Sequence, residues 1–155
     1  MIPGAQLLID FGVTYQRYSA DITRKVFCEH ITDGNTKIYE AVLAANIAGR
    51  QMAAPAITCQ EIDVKVSYTL RKTGFDDLVV HKTGHGLGLD VHEAPNVMIN
   101  NHTPLVSGML ITIEPGLYRS KDIGFRIEDD VLIANDGRRS LTSFERNPIV
   151  IGNIK

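Results

Sequence analysis

The sequence of 155 residues has no tryptophan, only two cysteines and almost no excess of charge of either sign. Its 16 basic and 18 acidic residues give a formal net charge of −2, so it lacks the basic surface of a protein that binds nucleic acid or an anionic membrane. No apolar run approaches the ~18 residues that a membrane-spanning helix needs. The first six residues, MIPGAQ, lack the basic and apolar segments of a signal peptide.

The two cysteines, Cys28 and Cys59, could in principle form one disulfide. Because no export signal precedes them, we expect free, buried thiols and a cytoplasmic location, where thiols stay reduced. The fractions of hydrophobic (44%) and charged (22%) residues are those of a globular protein and exclude disorder as the main state. A chain of this length fits a single domain over residues 1–155 and can bury roughly 70% of its unfolded surface.

Hydrophobic spacing separates predicted strands from predicted helices. Apolar residues from Ile38 to Met52 recur every three or four positions, which is one helical stripe. The residues TCQE at 58–61 form a capping-box pattern that begins a second helix, and NDG at 135–137 predicts a tight turn. The order of strands, then helices, then strands predicts an α+β fold rather than a doubly wound parallel sheet. Strands are predicted over 6–13, 18–27, 110–114, 124–134 and 140–144, and helices over 33–54 and 58–72.

Four carboxylates lie in predicted strands that are otherwise apolar, namely Asp10, Asp21, Glu114 and Glu128. Each alone could be an exposed residue or the partner of a nearby arginine, as Asp21 could be of Arg24. Together they favour a common site, because an unpaired buried carboxylate is costly and is therefore paired, metal-bound or protonated.

Strand spacing predicts which of these acids meet. A turn centred between residues 15 and 16 would place Asp10 directly opposite Asp21, with Cβ atoms roughly 4.5–5.5 Å apart. The later loop has the analogous spacing and would place Glu114 opposite Glu128. Two carboxylates at that distance repel each other unless a cation lies between them.

A glycine-rich segment brings histidines to the acids. The segment TGHGLGLDVHEAP, residues 83–95, holds His85 and His92 among three glycines. It has neither the strand–turn–helix context of a dinucleotide-binding loop nor the His-Glu-x-x-His pattern of common zinc peptidases. Carboxylates with one imidazole suit Mn, Co, Fe or Zn. Four carboxylates fit two bridged ions, an arrangement that holds and activates a water molecule.

Five segments resemble the pita-bread metallopeptidases, which include methionine aminopeptidases and the proline-specific aminopeptidases and dipeptidases. They are IDFG (9–12), SADITR (19–24), GHGLGLDVHE (84–93), IEPG (113–116) and RIED (126–129). The forms LDVHE, PGLY and GFRIED are similar to those of the Xaa-Pro aminopeptidases and Xaa-Pro dipeptidases. The creatine-hydrolysing relatives on the same fold lack the metal ligands, so the intact set here argues against that activity. The resemblance covers essentially the whole chain.

The resemblance implies a role for each candidate residue. Asp10 would chelate one metal ion, His85 and Glu114 the other, and Asp21 and Glu128 would bridge both. It implies two divalent ions, with manganese as the first choice and Co, Zn or Fe as alternatives. The substrate would be a peptide with proline at its second position, cleaved before that proline.

Further residues follow from the same resemblance. His92 would contact the substrate near its scissile carbonyl, and Glu114 would also handle a proton of the attacking water. Arg126, on the same strand face as Glu128, would orient the acids. His81 could support the site or set specificity, and a purely structural role is equally open. His30 and His102 carry no functional prediction.

The chain departs from the family pattern at its start. Family members carry a further stretch before the first aspartate strand, including a histidine near the substrate, whereas Met1 lies only nine residues before Asp10. We therefore expect the C-terminal part of a catalytic domain, truncated on its N-terminal side, and an inactive fragment when the chain is isolated. A cut strand edge favours self-association into a homodimer. The alternatives are a non-catalytic pita-bread module that binds peptides or proteins, and a methionine aminopeptidase.

Overall fold

Strands from both ends of the chain flank two helices that follow each other in sequence. The computed structural model describes residues 2–119 and 123–152. The helices are α1 (Asp33–Met52) and α2 (Cys59–Arg71). The strands are β1 (Gln6–Phe11), β2 (Thr14–Tyr15), β3 (Tyr18–Ser19), β4 (Ile22–Cys28), β5 (Gly84–Gly86), β6 (Glu93–Val97), β7 (Leu110–Ile113), β8 (Gly116–Arg119), β9 (Ile123–Arg126), β10 (Asp129–Ala134), β11 (Gly137–Ser140) and β12 (Ile149–Ile151).

Both helices begin at a capping threonine, and the capping box of α2 is the one that the sequence predicts. The Thr32 side chain accepts the Asn35 amide at the start of α1. Thr58 and Glu61 form the reciprocal capping box of α2. The two helices pack closely at Gly49, where an added Cβ would lie 2.7 Å from the Val66 side chain. Glycine is therefore required at this helix crossing.

Two sheets carry most of the strands. A five-stranded sheet has the order β11-β10-β7-β5-β6, and a three-stranded sheet has the order β1-β4-β12. Ile111 and Ile113 on β7 and Val131 on β10 are fully buried in one apolar cluster with the stripe of α1. The helices are thus segregated from the strands in sequence, which confirms the predicted α+β class.

Several predicted strand boundaries are wrong, and the errors fall at the candidate site residues. The strand predicted over 18–27 is interrupted at residues 20–21, and the one predicted over 124–134 is interrupted at residues 127–128. At the second break the Glu128 amide donates to Thr23 O of β4 instead of continuing a ladder. The last hairpin strand is β11, not 140–144, and the turn at 135–136 is confirmed.

The predicted register of the first hairpin is also wrong, by two residues. Asp10 pairs with Thr23, not with Asp21. The reason is a tight two-residue turn at Gln16 and Arg17, whose φ angles are +48° and +74°, within a small β2–β3 hairpin. Both residues adopt the left-handed conformation of a type I′ turn, which usually contains Asn or Gly. Asp10 and Asp21 are therefore diagonal neighbours on one face.

Cys28 and Cys59 are free and buried, as predicted. Among the described residues, neither helix combines the length and apolarity that crossing a membrane requires.

Candidate metal centre

Six side chains from separate elements of the two sheets and their connections lie close together. Asp10 lies on β1, Asp21 in the break before β4, and His85 on the short strand β5. Glu114 follows β7 and Glu128 lies in the break between β9 and β10. The flanking pairs Ile113–Asp129 and Gly116–Arg126 have the register that places Glu114 opposite Glu128. The sixth side chain is His92, in the loop between β5 and β6.

Three overlapping groups of these residues have the geometry of a metal site. In each group, one ligand atom per residue lies within 4.8 Å of the others. Asp21, His85 and Glu128 each belong to two groups, so the groups form a connected set. The groups are Asp21 with His85 and His92, His85 with Glu114 and Glu128, and Asp10 with Asp21 and Glu128.

His85 is oriented as a nitrogen ligand. Its Nδ1 lies 2.9 Å from Gly86 O, and a carbonyl can only accept, so Nδ1 carries the proton. The Nε2 lone pair then faces Glu114 Oε1 at 3.5 Å and Asp21 Oδ2 at 3.9 Å. Burial lowers the pKa of His85, which favours the neutral imidazole that metals bind.

The acids carry more charge than their surroundings neutralise. Burial raises the pKa of Glu114 to about 7, and burial together with the charge of Glu114 raises the pKa of Glu128 to about 8. Burial and the charge of Asp10 also raise the pKa of Asp21. Asp10 is the exception to the predicted burial, because 48% of its side chain is exposed. A divalent cation would relieve this crowding of carboxylates, so the donor set fits a metal.

Thr23 and Arg126 contact two of the acids. The Thr23 hydroxyl donates to Glu128 Oε2 at 2.5 Å and accepts from Arg126 Nε at 2.9 Å. Arg126 also forms an ion pair with Asp10 and lies 3.8 Å from Glu128 Oε2. Arg126 thus contacts acids from both ends of the centre. Its predicted role in orienting them stays a prediction.

A short polar chain leads from Arg126 to His81. Arg126 Nη1 donates to the Tyr118 hydroxyl at 3.3 Å, and that hydroxyl lies 3.1 Å from His81 Nε2. His81 Nδ1 lies 2.7 Å from Lys82 O, so Nδ1 is the donor and Nε2 accepts from Tyr118. At Gly116 an added Cβ would lie 2.5 Å from the Tyr118 ring. Gly116 therefore allows the Tyr118 ring to approach the backbone closely. His81 is connected to Arg126 through the Tyr118 hydroxyl.

His92 lies at the exposed rim of the centre. Its ring centroid is 4.3 Å from that of His85, and the residue is exposed to solvent. His30 and His102 are also exposed, and neither belongs to the three groups. The position of His92 is compatible with its predicted contact with a substrate, which stays a prediction.

Sequence reasoning missed four residues that support the centre. Thr23 and Tyr118 have been described above. Asp130 Oδ2 accepts the backbone amide of Asp21 at 3.2 Å. Asn46 is fully buried, and its amide nitrogen donates to Ile113 O at 3.0 Å and to Ile127 O at 3.3 Å.

Two signals could have revealed some of these residues. Thr23 lies two positions after Asp21 and so shares its strand face. Asn46 is a polar residue beside the apolar stripe of α1, and buried polar groups need partners.

Comparison with known proteins gives consistent matches. The model of the family described as metallopeptidase family M24 matches residues 1–135. An Xaa-Pro dipeptidase of Pyrococcus furiosus is 40% identical over 143 residues, which are 92% of this chain and 41% of that protein. The chain therefore spans about two fifths of the length of this relative.

Solved structures match the fold over nearly the whole chain. The dipeptidase PepE from Mycobacterium ulcerans superposes with a TM-score of 0.96 at 32% identity, over 99% of this chain and 42% of that one. The X-Pro aminopeptidase from Thermotoga maritima gives a TM-score of 0.92 at 35% identity, over 96% of this chain and 42% of that one.

Proposed function

Because the chain belongs to metallopeptidase family M24 and has the pita-bread fold of its solved relatives, we propose that it forms part of an Xaa-Pro peptidase. The protein would hydrolyse the bond before a proline at the second position of a peptide or in a dipeptide. The observation that carries this proposal is the connected set of carboxylate and imidazole ligand atoms. Names of relatives, including an Xaa-Pro dipeptidase, support the substrate class.

The three overlapping groups support a centre for two divalent ions. Asp10 would hold one ion, His85 and Glu114 the other, and Asp21 and Glu128 both. Of the three residues that belong to two groups, Asp21 and Glu128 are the carboxylates, and their two oxygens allow each to contact both ions, which supports the bridging assignment. Bound divalent ions supply an activated water and a polarised carbonyl at neutral pH.

The chain's own residues would complete the chemistry around the ions. Glu114, whose Oε1 lies 3.5 Å from His85 Nε2, would also take up and return a proton of the attacking water. His92 at the rim would donate to the oxygen of the scissile carbonyl, where charge develops. Arg126 and Thr23 would keep Asp10 and Glu128 in position. His81, through Tyr118, would line the adjoining substrate side.

Metal binding tests the centre directly. Calorimetric titration of the metal-free chain with Mn²⁺ should give two ions per chain, and Co²⁺, Zn²⁺ or Fe²⁺ would compete. Asp21→Ala should reduce this number, because Asp21 would bridge both positions. If Asp21→Ala still binds two ions with unchanged affinity, the bridging assignment is wrong.

Hydrolysis tests the reaction and its alternatives, in the whole protein that contains residues 1–155. Release of the first residue from Ala-Pro and Leu-Pro peptides with Mn²⁺ or Co²⁺ present supports the proposal. Preferential cleavage of Met-Ala peptides would instead indicate a methionine aminopeptidase. Metal binding without hydrolysis of either would indicate a non-catalytic module. The isolated chain is assayed in parallel, because it spans only about two fifths of its relatives.

Three further assignments belong to the same proposal. Residues 1–155 would form a single, partial catalytic domain, located in the cytoplasm. The chain would form a homodimer, because β1 is an edge strand with Leu7, Ile9 and Phe11 exposed. Light scattering that shows a strictly monomeric solution would contradict self-association.

A further inference from the structure

A second cluster of charged side chains surrounds Asp129, the neighbour of Glu128. Asp129 is fully buried and bonds Arg24 Nη2 at 2.7 Å and Arg146 Nε at 2.8 Å. Arg50 Nε lies 3.3 Å from the same carboxylate. One carboxylate therefore serves three guanidinium groups. We call Arg24, Arg50, Arg138 and Arg146 the arginine cluster.

Positive charge exceeds negative charge in the arginine cluster. Burial lowers the pKa of Arg50, as do the charges of Arg146 and Arg138, whereas Asp129 opposes the shift. Arg138 lies two positions before Ser140 on β11 and shares its strand face, and the Ser140 hydroxyl accepts from Arg146 Nη2 at 3.0 Å. Arg138 has no ion pair within the described residues. Glu145 is the second acid that acts here, through Arg146 and Arg24. Four arginines thus face two carboxylates, an excess of two positive charges.

Donor groups remain open on the solvent side. Arg24 is 2% exposed, and its donors are used by Asp129 and by carbonyls such as Glu145 O and Phe144 O. Arg50 uses only Nε, toward Asn46 Oδ1, and within residues 2–119 and 123–152 its two Nη atoms have no hydrogen-bond partner. Arg146 uses Nε and Nη2, toward Asp129, Ser140 and Thr142, and among the described residues only its Nη1 has no partner. The side chains of Arg50 and Arg146 are 19% and 23% exposed, so these free Nη atoms are accessible to a ligand.

We infer that the arginine cluster is a binding site for a phosphate-type oxyanion, held by Arg50, Arg138 and Arg146. A dianion would balance the two excess charges. The planar guanidinium fork matches the oxygens of phosphate and can bind them in pairs. Arg24 and Asp129 form the buried base of the site and do not touch the ligand. This site is separate from the carboxylate centre and does not depend on the proposed peptidase activity.

Inorganic phosphate is the probe for this site. The chain is first stripped of metal on a chelating resin, so that phosphate at bound metal ions cannot imitate the site. Isothermal titration at constant ionic strength, set with sodium chloride, should then show one phosphate per chain. Acetate, the singly charged comparison, should bind at least about tenfold more weakly, because it offers fewer oxygens and half the charge.

Substitutions locate the bound anion. Arg138→Gln and Arg50→Gln should each weaken phosphate binding by about tenfold, the loss of one charge-assisted hydrogen bond. Arg139→Gln is the matched control, because Arg139 is exposed and lies on the opposite face of β11. It should change binding less than about twofold, since its charge acts only through solvent.

Two results would overturn the inference. One is the absence of a phosphate signal beyond that of chloride at the same ionic strength. The other is equal loss in Arg139→Gln and Arg138→Gln, which would indicate general surface attraction. If Arg50→Gln does not fold, Arg138→Gln decides the question, because Arg138 is exposed and has no ion pair among the described residues. Equal affinity for acetate and phosphate would also overturn the inference, because it would indicate a site for any small anion and not for a phosphate-type dianion.

Discussion

The carboxylate centre and the arginine cluster occupy the same two chain segments, one residue apart. On one side, Thr23 of β4 bonds Glu128, and on the other, Arg24 bonds Asp129. Neighbouring side chains of an extended segment point in opposite directions. The two segments therefore carry an acid-rich cluster and a base-rich cluster back to back.

The two clusters differ in how their charges are paired. Asp129 is surrounded by guanidinium groups, whereas Glu114 and Glu128 face other acids, and their pKa values are raised to about 7 and about 8. Paired charges hold segments together, and removing one partner leaves the other stranded. Crowded acids instead repel one another, and a cation bound between them would reduce this repulsion. We therefore expect the buried pair of Arg24 and Asp129 to stabilise the fold, and the crowded acids to bind a cation.

The largest effect on stability is expected from removing Asp129, the buried acid beside the arginine cluster. Asp129→Ala leaves Arg24 buried without its carboxylate and should lower the free energy of unfolding by about 3–5 kcal/mol. Urea denaturation measures the loss. Glu40→Ala, an exposed acid on α1, is the control and should stay within about 0.5 kcal/mol of the parent. If the free energy of unfolding falls no further than in the control, Asp129 does not stabilise the fold through its arginine partners.

The next effect concerns the crowded acids. Mn²⁺ at a hundredfold excess over its dissociation constant should raise the free energy of unfolding by about 2.7 kcal/mol per site. A chelator should remove this gain, and Asp21→Asn should largely abolish it. Asp136→Asn, in the exposed hairpin turn, should keep the full gain. Equal stabilisation of both variants would place the ion elsewhere.

Removing the Thr23 hydroxyl, which bonds Glu128, should have a smaller effect, on the affinity for Mn²⁺. Thr23→Val removes the hydroxyl between Arg126 and Glu128 and should weaken Mn²⁺ binding by about 10–100-fold. Calorimetric titration measures it, with Thr14→Val on the exposed strand β2 as the control. An unchanged affinity would show that Glu128 needs no partner from β4.

The smallest effect comes from Lys25, a buried cation on β4 that donates to Gly124 O at 2.5 Å. Burial lowers its pKa from 10.5 to about 8. Between these values the unfolded chain binds the extra proton, so stability should rise with pH, by about 1 kcal/mol from pH 7 to pH 9.

Lys25→Met should lose this rise, which denaturation at several pH values would reveal as a difference from the parent. The exposed Lys37→Met should retain it. A Lys25→Met profile parallel to the parent's would show that Lys25 is not the source.

Much of this architecture follows from local sequence signals. The capping box of Thr58 and Glu61, the turn at 135–136 and the opposition of Glu114 and Glu128 depend on short-range chemistry, and the structure has them. The carboxylates could be recognised because acids are out of place in apolar strands.

The rest depends on tertiary contacts that no short window encodes. The register of β1 was missed because Gln16 and Arg17 adopt positive φ angles without the usual Asn or Gly. The break at residues 127–128 arises because the Glu128 amide bonds Thr23, more than one hundred residues away. The pairing of Arg24 with Asp129 spans a similar separation. Such pairs can be proposed from a sequence only once the strands have been placed side by side.

The side-chain amide of Asn46 fixes the distance between the two chain segments that carry Glu114 and Glu128. It donates to the carbonyls of Ile113 and Ile127, the residues just before Glu114 and Glu128. A side chain of α1 therefore holds the spacing of the two glutamates through protein contacts alone, whether or not a metal ion is bound. An engineer could exchange ligand side chains while keeping this spacing, or alter the spacing alone through residue 46. Arg50 of the arginine cluster donates to the oxygen of the same Asn46 amide. Asn46 therefore contacts the arginine cluster as well as the segments that carry the two glutamates.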